Sequence, residues 1–241
     1  MATDSTLVIG YPHNGMVHQP FMKSLMAFRE YDLMHRRVLR HVDDEWGLYV
    51  AGNRNKLCAR FLNSDVQWLL QIDSDHAFGP ETVYQLMDEA DSLDRPIVSA
   101  LYFGMLNGTP APMWWEKNER GEFQVVGSIV AGLQKIDAAG MGFCLTHRRV
   151  LETMRAKSDQ NDSWTWFGHD LGILDGKPVR MGEDFTFFER ARKLGFEAWG
   201  DGRLVITHMK TAAFNLDMVL KLIEPKKPDE PVRYEILTAA A

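Results

Sequence analysis

Short apolar segments alternate with segments of helical periodicity along the first hundred residues. The apolar runs predict buried strands at 7–10, 66–72 and 97–102. Between them, apolar residues recur every three or four positions, which predicts helices over 19–35, 53–63 and 80–92. Two further extended segments are predicted at 38–42 and 48–50. This order of strands and helices is typical of an α/β fold with a mainly parallel sheet flanked by helices.

The second half of the chain has a less regular pattern. Helices are predicted at 148–157 and 183–194. Short apolar groups predict strands, the first two antiparallel, at 123–126, 133–136, 198–199 and 204–206. Two segments that contain Gly and aromatic residues are predicted to be irregular, namely 103–124 and 158–180. We expect one domain over residues 1–223 and a loosely structured tail over 224–241.

Charge and cysteine content narrow the class of protein. The 241 residues carry a formal net charge of −6, which gives no overall attraction to nucleic acid or anionic membranes. Cys58 and Cys144 are too few for a disulfide framework, and we expect both thiols to be free and buried. The chain contains neither a signal-peptide pattern nor an apolar run of about 18 residues. A cytoplasmic, soluble protein without membrane insertion is therefore expected.

Two carboxylates follow directly after the second apolar strand. Residues 69–75 read Leu-Leu-Gln-Ile-Asp-Ser-Asp, so the apolar run ends in two aspartates one residue apart. Because alternate side chains of an extended chain point to the same side, Asp73 and Asp75 can converge on one cation. Hard oxygen ligands suit Mg²⁺ or Mn²⁺. In isolation, however, such a pair is also typical of a strand end followed by a turn.

Two polar groups near helix starts have both a functional and a structural interpretation. Arg54 and Asn55 lie where a helix begins and could hold a phosphate, although a solvated Arg near an ordinary helix cap is the simpler explanation. Glu183 and Asp184 open another helix. Acidic residues there either stabilise the helix dipole or serve as a general base for a hydroxyl group.

A histidine and a tryptophan pair are further candidates. His208 follows an apolar strand and is either a metal ligand or an ordinary surface residue. Trp114 and Trp115 could stack on a sugar or a base, or pack in the core with one ring at its rim. Each group is weak evidence for a function by itself. The order of the groups along the chain carries more information than any one of them.

That order resembles the GT-A-fold, metal-dependent glycosyltransferases, particularly the compact family-2-like enzymes of bacteria and phages. The resemblance extends from residue 7 to about residue 209. It rests on the following segments, in chain order: 7–12, 54–55, 72–75 with Gly79-Pro80, 98–102, 139–142 with Arg148-Arg149, 182–185 with Arg190, Gly195 and Phe196, and finally His208.

The resemblance implies a fold and an activity. The fold would be a Rossmann-like, mainly parallel sheet with a small antiparallel addition, in which about 1–103 bind the nucleotide and about 104–223 the acceptor. The activity would be a single, inverting transfer of a sugar from a UDP- or GDP-linked donor to an acceptor hydroxyl, dependent on Mn²⁺ or Mg²⁺. Glycans, proteins and hydroxymethylated DNA are all compatible acceptors.

The resemblance also implies roles for individual residues. The implied nucleotide contacts are Tyr11, Pro12, His13, Arg54, Asn55, Asp73 and Ser74. Asp75 would ligate the cation directly, with His208 as a late ligand and Asp73 at the ribose or a metal-bound water. Asp184 would be the general base, with Glu183 beside it. The donor sugar and acceptor would be flanked by Trp114, Trp115, Gly140, Met141 and Gly142.

Two other functions are compatible with parts of the pattern. A nucleotidyltransferase could share the sheet, but the segment after the first strand, residues 12–15, contains no Lys or Arg to bind phosphates. A catalytically silent carbohydrate- or nucleic-acid-binding module would bind glycan or DNA without breaking down a donor. The acceptor motif of processive polysaccharide synthases, of the Q-x-x-R-W type, is not found after Asp184, which favours a single transfer.

Overall fold

The computed structural model describes residues 6–106, 108–158 and 165–210 together with the backbone of 235–237. The helices in these ranges are α1 (Gln19–Met34), α2 (Val50–Leu62), α3 (Pro80–Glu89), α4 (Arg148–Lys157) and α5 (Glu183–Lys193). The strands of the first half are β1 (Leu7–His13), β2 (Leu39–Trp46), β3 (Trp68–Ile72), β4 (His76–Ala77), β5 (Ile97–Leu101), β6 (Phe103–Leu106), β7 (Thr109–Pro112) and β8 (Trp114–Lys117). The later strands are β9 (Phe123–Val125), β10 (Ser128–Val130), β11 (Leu133–Ile136), β12 (Ala138–Ala139), β13 (Phe143–His147), β14 (Leu171–Leu174), β15 (Lys177–Arg180), β16 (Ala198–Val205), β17 (Thr207–His208) and β18 (Glu235–Leu237).

A seven-stranded sheet forms the centre of the fold, in the order β11-β16-β5-β13-β3-β1-β2. Strands β1, β2, β3, β5 and β16 run in one direction, whereas β11 and β13 run against them. The predicted α/β class with a mainly parallel sheet is therefore confirmed. The carboxyl ends of β1 and β3 lie at the same edge, because these two strands pair in parallel.

Helices cover both faces of the sheet. Alternate residues of β1 point to opposite faces and contact different sets of helices. Val8 packs in a cluster with residues of α2, α4 and α5, whereas Leu7 and Ile9 pack in another with residues of α1 and α3. Strands β3, β5 and β13 are buried along their whole length. Their mostly apolar character follows from this burial on two sides.

Several local predictions are wrong, and all concern short or exposed segments. The segment 48–50 forms no strand, because only Tyr49 precedes α2 in an extended conformation and α2 already begins at Val50. The segment 103–124 contains β6, β7, β8 and the start of β9, and 158–180 contains the β14–β15 hairpin. Asp175 and Gly176 both have positive φ, of 51° and 70°, in the two-residue connection between β14 and β15. An Asp-Gly pair favours this type of hairpin turn.

The smaller strand pairs add to the carboxyl edge of the sheet. Strand β4 pairs with β17 in antiparallel register, so that His208 lies opposite His76. Most of the predicted tail lies outside the described residues, although β18 pairs with β10. Within the described ranges, no helix combines the length and apolar character needed to cross a membrane.

Candidate functional site

Three potential ligands for a cation converge just beyond the end of β3. Side-chain atoms of Asp75, His76 and His208 all lie within 4.8 Å of one another. The two imidazole rings stack with their centroids 4.4 Å apart, and Nε2 of His208 lies 3.3 Å from Oδ2 of Asp75. We call these three residues the Asp–His–His cluster. The pairing of β4 with β17 assembles it from segments that are distant in sequence.

Both histidines of the cluster are presented in a way that suits a metal ion. Nδ1 of His208 lies 2.9 Å from the carbonyl oxygen of Phe103. A carbonyl only accepts, so Nδ1 donates to it, and Nε2 is the nitrogen that faces Asp75. His76 is fully buried; its Nδ1 lies 3.2 Å from Oδ1 of Asp75 without hydrogen-bond geometry, and its Nε2 makes no hydrogen bond with a described residue. Since an unpartnered buried polar atom is unfavourable, the residues present fit a divalent cation with mixed nitrogen and oxygen ligands.

Asp75 is held in its charged form. Lys210 donates from Nζ to Oδ2 of Asp75 at 2.8 Å. Burial raises the pKa of Asp75, but its contacts with His208, His76 and Lys210 outweigh this and place the pKa well below its usual range. A metal-ligating carboxylate must be ionised, and Asp75 therefore meets this requirement at every physiological pH.

A buried arginine joins the first aspartate to the start of α5. Arg54 is 2% exposed, and it donates from Nη2 to Oδ1 of Asp73 at 2.8 Å and from Nη1 to Oε1 of Gln71 at 3.2 Å. Its Nε lies 3.9 Å from Oδ1 of Asp184. Neither of these last two atoms makes a hydrogen bond with a described residue. The guanidinium group therefore lies between Asp73 and Asp184, and it leaves Oδ1 of Asp184 without a hydrogen bond to a described residue.

The environment of Asp184 gives it an unusual acidity. Burial raises the pKa of Asp184 to about 7, the positive charge of Arg54 opposes this rise, and the carboxylates of Glu183 and Asp73 add to it. A carboxylate with a pKa near neutrality can accept a proton from a hydroxyl group more readily than an ordinary aspartate. Perturbed acidity in a polar cluster of this kind is common at functional sites.

Replacing Arg54 by methionine is expected to lower the free energy of unfolding by roughly 2–3 kcal/mol, because Asp73 and Asp184 would lose the cation between them. Breaking a fully buried pair costs about 3–5 kcal/mol. The side chains of Asp73 and Asp184 are 30% and 27% exposed, so solvent reduces this cost. Urea denaturation measures the change. Arg60→Met, which breaks a pair with Glu45 nearer the surface, is the control and is expected to cost about 1 kcal/mol or less.

Equal stability of the Arg54→Met and Arg60→Met variants would contradict this account of the buried arginine.

A cavity of about 330 Å³ opens beside the two aspartates. It is lined by the loop after β1, by residues of 47–53, and by Asp73, Ser74 and Asp75. Pro12 and His13 contribute to its wall, and Nε2 of His13 lies 3.1 Å from Oδ2 of Asp44. Because β1 and β3 end at the same edge, the loop and the aspartates meet there, where open α/β sheets hold their ligands. We call this space the aspartate cavity.

Two of the expected nucleotide contacts have other partners. The ring of Tyr11 packs against Phe21 with centroids 4.9 Å apart, and Tyr11 does not line the aspartate cavity. Asn55 donates to the carbonyl oxygen of Phe167 at 2.8 Å and accepts from its N–H at 2.9 Å. Both polar atoms of the Asn55 amide are therefore engaged in holding the loop at Phe167.

The two tryptophans occupy different environments. Trp114 has no exposed surface, and its Nε1 donates to Oγ of Ser99 at 3.4 Å. Trp115 is half-buried and packs edge-on against Phe185, with ring centroids 4.8 Å apart. Trp114 is thus a core residue with no exposed surface, and Trp115 lies at the rim of the core. This arrangement matches the alternative interpretation of the pair, rather than the contact of Trp114 with a sugar or acceptor that the resemblance implies.

Gly140, Met141 and Gly142 lie behind the Asp–His–His cluster and are buried. A Cβ atom on Gly142 would lie 2.5 Å from Cε1 of His76 and 2.9 Å from Oη of Tyr102. The N–H of Gly142 donates to that hydroxyl at 3.2 Å. The glycines therefore allow the backbone to approach the two rings closely. This segment supports the position of His76. It is buried, and the contact with a sugar that the resemblance implies for it stays a prediction.

Gly142→Ala is expected to weaken Mn²⁺ binding by about 10–100-fold, the usual effect of disturbing groups that support a metal ligand. The added methyl group has no space beside the buried His76 ring, which must then shift. Isothermal titration with Mn²⁺ measures the affinity. Gly132→Ala is the matched control, because a Cβ there meets nothing within 4 Å. A folded Gly142→Ala protein with unchanged Mn²⁺ affinity would argue against His76 as a ligand.

His76 and Lys210 are functional candidates that the sequence pattern does not single out. His76 follows Asp75 directly, and this adjacency is the one signal that could have marked it. A two-residue strand such as β4 has no periodicity, so the pairing that aligns His76 with His208 is visible only in the structure. Lys210 lies 135 positions after its partner Asp75, and nothing in the sequence links them.

Comparison with known proteins establishes the fold. No protein-family profile and no curated protein matches the sequence. Among solved structures, A197 from STIV is similar with a TM-score of 0.51 and 17% identity, over 86% of each chain. GalNAc-T7, solved with UDP, GalNAc and Mn²⁺, is similar with a TM-score of 0.54 and 10% identity, over 85% of this chain and 44% of that one. This chain thus spans less than half the length of GalNAc-T7, and its fold is GT-A-like.

Proposed function

We propose that this protein is a metal-dependent glycosyltransferase that makes a single, inverting transfer of a sugar from a UDP- or GDP-linked donor to an acceptor hydroxyl. The observation that carries the proposal is the position of the Asp–His–His cluster: its Asp75 also lines the aspartate cavity. A cation and a nucleotide would therefore meet at one carboxylate. The GT-A-like fold supports the same class of reaction, since the similar GalNAc-T7 was solved with UDP, GalNAc and Mn²⁺.

In the proposed complex, the nucleoside lies in the aspartate cavity and its diphosphate extends toward the Asp–His–His cluster. Asp75, His76 and His208 would hold the cation, and two imidazoles favour Mn²⁺ over Mg²⁺, because nitrogen ligands suit transition metals. When bound, the cation would neutralise the negative charge that develops on the leaving diphosphate. Lys210, beside Asp75, adds a second positive charge at the same place.

The acceptor would be activated on the other side of Arg54. Asp184 accepts the proton of the acceptor hydroxyl, and its raised pKa of about 7 suits this role. Arg54 holds Asp73 by a hydrogen bond and keeps a guanidinium nitrogen facing Asp184. The buried guanidinium is rigidly placed, and it therefore fixes the base relative to the donor end of the site.

A donor screen tests the proposal. Each UDP- and GDP-sugar is incubated with the protein and Mn²⁺, Mg²⁺ or EDTA, and release of nucleoside diphosphate is measured. We expect release with one class of donor in Mn²⁺, loss of release in EDTA, and recovery when Mn²⁺ is restored. Equal release in EDTA would contradict the metal requirement.

The same screen separates the alternative functions. Release of pyrophosphate from a nucleoside triphosphate and a sugar phosphate would indicate a nucleotidyltransferase. Binding of glycan or DNA without turnover of any donor would indicate a silent binding module. The screen does not identify the acceptor, for which glycan, protein and hydroxymethylated DNA remain candidates. A second cavity gives information about the acceptor.

A further inference from the structure

A second cavity, of about 400 Å³, lies beside the beginning of α5. Its walls are the β14–β15 hairpin, the turn that contains Arg120 and Gly121, and one side of α5. It shares no lining residue with the aspartate cavity. Gly182 and Phe185, which lie on either side of Glu183 and Asp184 in the chain, are both on its wall. We call it the hairpin cavity, and its wall includes residues that flank the proposed base in the chain.

The hairpin cavity has an apolar interior that continues onto exposed surface. Phe123 and Phe185 are in contact at one side, with ring centroids 4.9 Å apart. On the opposite side, Leu171, Ile173 and Leu174 of β14 are 77%, 59% and 49% exposed. A concentration of exposed apolar side chains on one four-residue strand is unusual for a surface in contact only with water, and it indicates a binding site for an apolar group.

The rim of the same cavity is positively charged. Among the described residues that line it, the basic ones are Lys117, Arg120, Arg180 and Lys193, and the acidic one is Glu189. Glu189 is already neutralised, because it pairs with Lys117 at 2.6 Å and with Arg192 at 2.8 Å. Arg120 and Arg180 are exposed. Arg120 interacts electrostatically with the nearby Glu122, which is not on the cavity wall. This excess of positive charge contrasts with the net charge of −6 of the whole chain, and it would attract an anion.

We infer that the hairpin cavity binds an amphiphilic anion, a molecule that joins an apolar section to a phosphate or carboxylate, and that the sugar acceptor is such a molecule with a free hydroxyl group. The inference rests on the proposed function. The apolar section lies against Phe123, Phe185 and Ile173, and the anionic group meets Arg180 and Arg120. A neutral glycan would not cover the apolar wall, and it would offer no negative charge to Arg120 and Arg180.

The position of the hairpin cavity fits the transfer step. The hydroxyl oxygen of the bound acceptor forms a bond to the anomeric carbon of the donor sugar, and its proton passes to Asp184. The bond between that carbon and the diphosphate oxygen breaks, and its electron pair leaves with the nucleoside diphosphate. Each acceptor molecule therefore loses one proton and gains one sugar, with no further reactant.

Binding of octyl phosphate tests the inference. Isothermal titration is done on the full-length protein without Mn²⁺ or donor, at octyl phosphate concentrations below those that form micelles. We expect octyl phosphate to bind at least tenfold more tightly than octyl glucoside, which has the same chain without the charge. Inorganic phosphate, which has the charge without the chain, is expected to bind at least tenfold more weakly as well.

Three variants locate the binding site. Arg180→Ala is expected to weaken octyl phosphate binding at least tenfold and to leave octyl glucoside binding unchanged. Ile173→Ser, an exposed position whose replacement leaves the core intact, is expected to weaken both alkyl ligands. Arg155→Ala removes an exposed arginine from α4 that does not line the hairpin cavity, and it is expected to have no effect.

Equal binding of octyl phosphate and octyl glucoside, no binding of octyl phosphate, or an equal effect of Arg155→Ala would each overturn the inference. Mn²⁺-dependent donor turnover that persists in such a case would leave glycosyl transfer standing. Octyl phosphate binding that depends on Arg180, in a protein that turns over no donor, would instead overturn the acceptor role together with the proposed function.

Discussion

Replacing Asp75 by asparagine is expected to lower donor turnover about a thousandfold. Asparagine has nearly the same size but presents a neutral oxygen, so the Asp–His–His cluster loses its charged ligand. Stabilisation of developing charge by a cation is worth several kcal/mol, and roughly 1.4 kcal/mol corresponds to a tenfold change in rate. Mn²⁺ affinity, measured by isothermal titration, is expected to fall in parallel, which separates ligand loss from other effects on the rate.

Asp65→Asn is the matched control for Asp75→Asn. Asp65 is exposed in the loop before β3, and its side chain lines neither cavity. Turnover and Mn²⁺ affinity are expected to be unchanged in this variant. Thermal unfolding of both proteins checks that neither has lost its fold. Turnover within threefold of the parent in Asp75→Asn, with Mn²⁺ dependence retained, would exclude Asp75 as a metal ligand.

Asp184→Asn is expected to lower the rate of transfer by about 10²–10⁴-fold, the usual contribution of a general base. Mn²⁺ affinity is expected to remain, because Asp184 is not part of the Asp–His–His cluster. The pH profile gives a more specific test. Burial raises the pKa of Asp184 to about 7, and only the ionised carboxylate accepts a proton. In the parent protein kcat/KM should therefore rise with pH through about 7 and then level off, and Asp184→Asn should abolish this rise.

Glu183→Gln is the comparison for Asp184→Asn, because both residues lie in the first turn of α5. This variant is expected to retain the rise of kcat/KM with pH. Loss of the rise in Glu183→Gln, with its retention in Asp184→Asn, would assign the base to Glu183. The anomeric configuration of the product, read by NMR, gives an independent check. Retention of the donor configuration would contradict direct displacement assisted by Asp184.

The central part of the fold could be predicted from the sequence because burial on two faces leaves a mostly apolar run. Strands β3 and β5 are of this kind. The β14–β15 hairpin could not be predicted from hydrophobic pattern, since its residues are exposed on both faces and show no alternation. Its turn residues, Asp175 and Gly176, carry a local signal that hydrophobicity does not contain.

The candidate site was predictable where it depends on one strand and unpredictable where it depends on tertiary contacts. The positions of Asp73 and Asp75 could be predicted, because residues that follow a buried strand lie at the edge of the sheet. The burial of Arg54 does not follow, because a helix start gives no information about which side chain faces the sheet. Trp114 and Asn55 show the same limit: their partners, Ser99 and the backbone of Phe167, are distant in sequence.

The pairing of β4 with β17 has a consequence for how the protein is made. His208 is synthesised long after His76, and Lys210 follows its partner Asp75 by 135 residues. Chains grow at roughly 5–20 residues per second, so on the order of ten seconds separate the two halves of the Asp–His–His cluster at the ribosome. Strands β1, β3 and β5 are complete before then. The proposed metal centre is thus completed late, and a nascent chain that already contains β1, β3 and β5 still lacks the ligand that completes it.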